Sequence, residues 1–85
     1  MASYRLLIKA SAAREVEALP RKDRTRVVDR IRRLAVDPRP PRSERLSSEE
    51  KYRIRQGNYR ILYSVDDADA CVLVVKIAHR RDVYR

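Results

Sequence analysis

The stretch Tyr52–Tyr63, YRIRQGNYRILY, decides the fold. Gly57-Asn58 is a two-residue hairpin signal, so Gln56 pairs with Tyr59 and the strands run outward from there. That register sets Ile54 opposite Ile61 and Tyr52 opposite Tyr63 on one face. On the other face Arg55 stands opposite Arg60, with Arg53 beside them. Like charges about 5 Å apart at Cβ destabilise a hairpin, so the arginine face asks for an anion.

Working toward the N-terminus, Tyr4–Ala10 (YRLLIKA) alternates Tyr4, Leu6 and Ile8 against Arg5, Leu7 and Lys9, as a half-buried strand does. Ser11 is placed to cap a short helix that turns Ala12, Ala13, Val16 and Leu19 toward the core. Pro20 opens a second helix, where its missing N–H is harmless. Val27, Ile31, Leu34 and Ala35 follow helical spacing there, with Val28 widening the stripe. Asp37-Pro38 ends that helix, and PRPPR (Pro38–Arg42) runs extended.

After a short piece around Arg45-Leu46 comes the hairpin, Tyr52–Gln56 and Tyr59–Val65. Asp66–Asp69 forms the next turn. Ala70–Ala78 is the most apolar strand and is expected at a central position. The order implies an α+β fold: an N-terminal strand, an α-helical hairpin, then an antiparallel β-meander with the helices packed on one face of the sheet. Residues 1–85 are read as a single domain. The helices then cover Tyr52, Ile54, Ile61 and Tyr63, and leave the face of Arg53, Arg55, Arg60 and Leu62 to water or a partner.

Composition narrows the partner. The 85 residues carry 21 Lys and Arg against 12 Asp and Glu, a formal charge of +9. Such an excess favours a polyanion, either nucleic acid or an acidic protein, bound more weakly as salt rises. Cys71 is the only cysteine, which excludes an internal disulfide and a cysteine-cluster metal site. It falls in the apolar run CVLVVKI and reads as a buried thiol. A lone thiol and a single histidine suit a reducing cytoplasm. MASYRLLIKA alternates where a secretory leader would be continuously apolar, and no run approaches a membrane span, so neither leader nor membrane is expected. Gly57 is the only glycine, which excludes a glycine-rich phosphate loop or dinucleotide fingerprint. No residue set calls for a metal or another cofactor.

Three constellations carry charge or chemistry. Arg53, Arg55 and Arg60 offer planar donor forks that match phosphate. Solvated arginines can instead splay apart and serve solubility, but an interleaved Lys/Glu pattern would do that without repulsion. The C-terminal HRRDVYR brings His79, Arg80, Arg81 and Tyr84 toward the rim of the same patch. There a tyrosine can stack on an unpaired base, or simply anchor the tail; His79 is either a titrating group or a surface histidine without a role. The second helix is crowded by Arg21, Lys22, Arg24, Arg26, Arg30, Arg32 and Arg33. It reads as a solvated face, or as a sequence-blind dock for a nucleic-acid or ribosomal backbone.

With SAAREVEALP, the DPRPP break, the YRIRQGNYRILYSVDD hairpin and the closing HRRDVYR, the chain resembles the RelE/ParE toxin superfamily, specifically its RelE-like branch, nearly end to end. The resemblance implies the RelE-like microbial ribonuclease architecture. It also implies a toxin of a type II toxin–antitoxin system, held by a RelB-like acidic antitoxin, as a homodimer or a toxin–antitoxin heterotetramer. RelE-like members are ribosome-dependent mRNA endonucleases. They cut translated mRNA in the A site by attack of the RNA's own 2′-hydroxyl, without metal, giving a 2′,3′-cyclic phosphate and a 5′-hydroxyl. On that pattern the site falls on Arg53, Arg55, Arg60, Arg80 or Arg81, and Tyr84. Some relatives use a carboxylate–histidine arrangement, for which Glu44, Glu49 or Glu50 with His79 are the candidates. A ParE-like poison of DNA gyrase, or an inactive basic binding module, are the alternative readings.

Overall fold

The computed structural model describes residues 3–46 and 51–79. The elements follow the order β1 (Arg5–Ile8), α1 (Ala10–Glu17), α2 (Arg21–Leu34), β2 (Glu44–Leu46), β3 (Lys51–Gln56), β4 (Tyr59–Asp66) and β5 (Cys71–His79). The five strands form one sheet in the order β1-β5-β4-β3-β2. All pairings are antiparallel except β1 with β5, where Leu6 lies beside Val72 and Ile8 beside Val74. The two helices cover one face, as the alternation of the strands requires.

The hairpin has the register read from Gly57-Asn58: Gln56 opposite Tyr59, Arg55 opposite Arg60, Ile54 opposite Ile61, Tyr52 opposite Tyr63. Gly57 supplies the positive φ, +61°, that the turn demands. The apolar strand begins one residue later than expected, at Cys71, and is interior: it lies between β1 and β4, while β4 is the middle strand of the sheet.

Ser11 is not a cap. Lys9 holds the N-cap position because its N–H still donates to the Val74 carbonyl at 2.9 Å, which keeps it extended as the last residue tied to β5. The helix therefore starts at Ala10, and Ser11 lies inside its first turn. Pro20 is the N-cap of α2 rather than its first helical residue, and its carbonyl accepts the Arg24 N–H at 2.8 Å. The helix closes at Leu34, three residues before Asp37-Pro38. Its last carbonyls are taken by a tightened turn, Val36 and Asp37 both donating to Arg33 O.

Ala12 and Val16 of α1 and Val27, Ile31 and Leu34 of α2 pack on Tyr52, Ile54, Ile61, Tyr63, Val65, Val72, Val74 and Ile77. Each large side chain fully enclosed here contributes about 1.5–3 kcal/mol. The proline-rich segment is pinned to this core. The Tyr63 hydroxyl donates to the Pro38 carbonyl at 2.8 Å, and Arg39 donates to the Tyr52 hydroxyl at 2.7 Å while its guanidinium lies 5.2 Å from that ring's centre. Arg39 also grips Asp67 through two bonds of 3.1 and 2.8 Å, and Tyr4 donates to the same carboxylate at 2.7 Å. These contacts hold the Asp67 carboxyl below its ordinary range, Arg39 first and Tyr4 second. Among the described residues no helix is long and apolar enough to cross a membrane.

Candidate active site

Arg53, Arg55 and Arg60 share the sheet face that points away from the helices, because each alternates with a core residue: Tyr52, Ile54 and Ile61. They are not equally open. Arg55 is exposed, Arg53 is half-buried, and Arg60 is only 7% exposed. The expectation that this whole face stands open is therefore corrected at Arg60. It sits on the middle strand between Arg55 on one side and Ala78 on the other, and a middle strand has neighbours that enclose the stem of a long side chain.

Glu44 joins this face through β2. It lies opposite Arg53 in the ladder and accepts from Arg53 Nη2 at 3.0 Å. Among the described residues Arg53 Nε, itself enclosed, meets no hydrogen-bond acceptor. A buried donor without a partner is costly. Arg55 Nε makes only a long 3.4 Å contact with the Gly57 carbonyl. The face thus presents one oriented, one exposed and one enclosed guanidinium on neighbouring strands, with Arg55 the most open to an anion.

His79 is on the other side of the sheet. It pairs with Tyr59, their rings meet edge to face at 5.5 Å, and the Tyr59 hydroxyl donates to Asp23 of α2 at 3.3 Å. The cause is a β-bulge. Leu62 faces Lys76 but Tyr63 faces Val74, so Val75 is an extra residue and the parity of β5 changes there. Counting alternation from Val72 and Val74 would set His79 on the arginine face; the bulge turns it toward the helices. Glu44 and His79 also stand three strand spacings apart across the sheet, about 14 Å, and three residues apart along it. A pairing of these two is not assembled. Glu49, Glu50, Arg80, Arg81 and Tyr84 lie outside the described residues.

The basic side chains of α2 do not gather on the arginine face, since the helix covers the opposite one. Arg21, Lys22, Arg26 and Arg32 are exposed there. Arg33 pairs with Asp29 at 2.9 Å, and Arg24 reaches the Glu17 carbonyl at 3.5 Å. Arg30 is the exception: its Nε donates to Gln56 Oε1 at 3.2 Å, bringing it to the tip of the hairpin. There it lines an open cleft together with Arg42 of the proline-rich segment, a residue outside the three sequence constellations. Its place depends on a turn closed by the Ser43 N–H on the Pro40 carbonyl, which the proline-rich composition does not announce.

At Glu15 of α1, burial pushes the carboxyl up. Lys76 Nζ at 2.8 Å and the Ile77 N–H at 2.9 Å outweigh that and hold it below its ordinary value. Glu15 thereby satisfies backbone on β5 past Ile8, the last residue of β1 in the ladder.

Comparison with known proteins gives these features a family. The family model described as the ParE toxin of the type II toxin–antitoxin system parDE matches residues 6–84. The toxin RelE of Mycobacterium tuberculosis is 33% identical over 84 residues, covering 96% of this chain and 87% of that protein. The toxin–antitoxin complex RelBE2 of M. tuberculosis contains a chain that superposes with a TM-score of 0.80 at 27% identity, covering 92% of this chain and 99% of that one. A chain of the archaeal RelE–RelB complex from Pyrococcus horikoshii gives 0.81 at 25% identity, with 92% and 96% covered. The chain is a RelE-like toxin and belongs to the RelE/ParE superfamily of type II toxin–antitoxin systems.

Proposed function

We propose that this toxin is a metal-independent, ribosome-dependent endoribonuclease that cuts translated mRNA in the A site and so inhibits translation in the cytoplasm. The observation that carries this reading is the convergence of Arg53, Arg55 and Arg60 on one face of adjacent strands, with Arg55 directly opposite Arg60.

In the proposed reaction the 2′-oxygen attacks the adjacent phosphorus, the bond to the 5′-oxygen breaks, and a 2′,3′-cyclic phosphate and a 5′-hydroxyl result. The 2′-hydroxyl loses its proton and the departing oxygen gains one. Negative charge spreads over the equatorial phosphate oxygens, where preorganised cations contribute most. Arg55 and Arg60 are assigned to those oxygens. Arg53, oriented by Glu44, assists through its positive charge. Tyr84 is assigned to stacking a base and holding the 2′-hydroxyl in line, and Arg80 or Arg81 to the departing oxygen. An arginine is a poor proton acceptor, with a pKa above about 12, so positioning by the ribosome carries much of the rate.

The solved relatives named above are complexes with RelB, and the +9 charge favours an acidic partner. A RelB-like antitoxin is accordingly proposed to bind this chain. The matching family model is described as a ParE toxin, which keeps a second reading in view, a poison of DNA gyrase. Primer extension on mRNA, run beside an assay for DNA damage after brief induction, separates the two. The nuclease reading predicts new 5′ ends within translated messages and no damage response. Damage without new ends contradicts it.

A further inference from the structure

We propose that Arg30, Arg42 and Arg55 form a second phosphate site, which holds a backbone phosphate of single-stranded RNA next to the one being cut. The inference rests on the nuclease reading and deepens it. The three side chains come from three separate elements, α2, the proline-rich segment and β3, and line an open cleft of about 530 Å³ with Gln56 and Gly57.

Convergence here is built in. Arg30 is anchored by its Nε bond to Gln56, which sets its guanidinium at the hairpin tip. Arg42 is placed by a turn in which both the Ser43 N–H and its hydroxyl donate to the Pro40 carbonyl, at 2.9 and 2.8 Å. The β2–β3 ladder opens with Glu44, two residues after Arg42, opposite Arg53, and Arg42 and Arg55 line the same cleft. Arg55 in turn faces Arg60. Arg55 and Arg60 lie on neighbouring strands about 4.8 Å apart, and Arg55 also lines the cleft with Arg42. Arg55 stands between the proposed cleavage site and the cleft, so one RNA strand can touch both.

The arginines of this cleft differ from four basic side chains elsewhere that carboxylates neutralise. Arg33 pairs with Asp29, Arg39 with Asp67, Arg53 with Glu44 and Lys76 with Glu15. Arg30 instead bonds a neutral amide, Arg55 a backbone carbonyl, and Arg42 makes no hydrogen bond or ion pair with a described residue. The described lining carries no carboxylate at all. Guanidinium groups set around a concavity without a counter-charge raise a local positive potential. A phosphodiester, with two unesterified oxygens, matches their planar forks. Gly57 leaves the mouth open: a Cβ placed there would meet nothing within 4 Å.

The test uses the full chain and a single-stranded oligoribonucleotide made uncleavable by 2′-O-methyl groups, with affinity followed by fluorescence anisotropy across a salt series. Arg42→Gln alters an exposed residue, and Arg30→Gln is combined with it; melting curves confirm folding. The double variant is expected to bind about tenfold more weakly at 0.1 M salt. Its plot of log affinity against log salt should be shallower by about 0.7, the value for one phosphate of a single strand. Arg42→Gln alone moves both quantities in the same direction. Unchanged affinity and slope overturn the site, as does wild-type protein that fails to bind the oligonucleotide. A polyglutamate peptide of equal charge serves as competitor; if the variants weaken its binding but not that of RNA, the cleft is a carboxylate site and the proposal falls. Wild-type protein that binds RNA through these residues yet leaves translated mRNA intact contradicts the nuclease reading while the phosphate site stands.

Discussion

Arg55 lies directly opposite Arg60 across the β3–β4 ladder, the first exposed and the second only 7% exposed. Two cations so placed work against the hairpin that carries them. Natural sequences accept such conflicts where function needs the charge.

Exchanging the exposed member therefore separates stability from activity. Arg55→Glu places an opposite charge across from Arg60 and should raise stability by about 0.5 kcal/mol, within the range of cross-strand ion pairs. Denaturant unfolding reads that gain. The same variant should lose mRNA cleavage by a hundredfold or more, as removal of a charge-stabilising donor does.

A second gain is available at a turn. Ala70 adopts φ +48°, a left-handed conformation that costs a residue with a Cβ roughly 1–2 kcal/mol. Asp66 Oδ1 accepts the Asp69 N–H at 3.1 Å, and Ala70 N–H reaches the Asp67 carbonyl at 3.3 Å, so the turn holds this shape despite the strain. Ala70→Gly should relieve the strain, and after the entropy glycine loses the net gain is about 0.5–1 kcal/mol. Thermal unfolding should show a rise of several degrees with cleavage unaltered.

Alkaline stability should depend on Tyr63. Burial pushes its phenol from 10.0 to about 12. The folded state therefore keeps a proton that the unfolded state loses above about pH 10. Stability from this group is complete below pH 10 and is lost as pH rises toward 12. Tyr63→Phe should remove that part of the alkaline decline, seen as a shallower fall in Tm between pH 10 and 12. At neutral pH the variant should be less stable by about 1–2 kcal/mol, because the Pro38 carbonyl loses its donor.

What the sequence made legible follows the distance over which each feature is determined. Gly57-Asn58 sets the hairpin register within twelve residues, so the facing pair Arg55 and Arg60 could be read directly. The stripe Val27, Ile31 and Leu34 is equally local. The pairing of β1 with β5 joins the two ends of the chain, and no local pattern encodes it. Without it Lys9 is not seen to be tied to Val74, and Ser11 looks like the cap. Arg60 is enclosed because β4 has two strands on either side, a property of the assembled sheet. His79 changed faces through one extra residue, Val75, among β-branched neighbours that read equally well in either parity. Arg42 stayed hidden behind PRPPR, whose composition predicts an extended run where the chain instead turns between Pro40 and Ser43.

The central claim is that the guanidinium face of β3 and β4 performs the cut, and Arg60 is its least exposed member. The most direct measurement maps the 5′ ends of cellular mRNA after brief induction of wild-type protein and of Arg60→Ala, with melting curves and antitoxin binding confirming that the variant is folded. New 5′-hydroxyl ends inside translated messages for wild type, absent for Arg60→Ala, are the predicted result. Undiminished cutting by the folded variant, or growth arrest by wild type with no new ends, would contradict it.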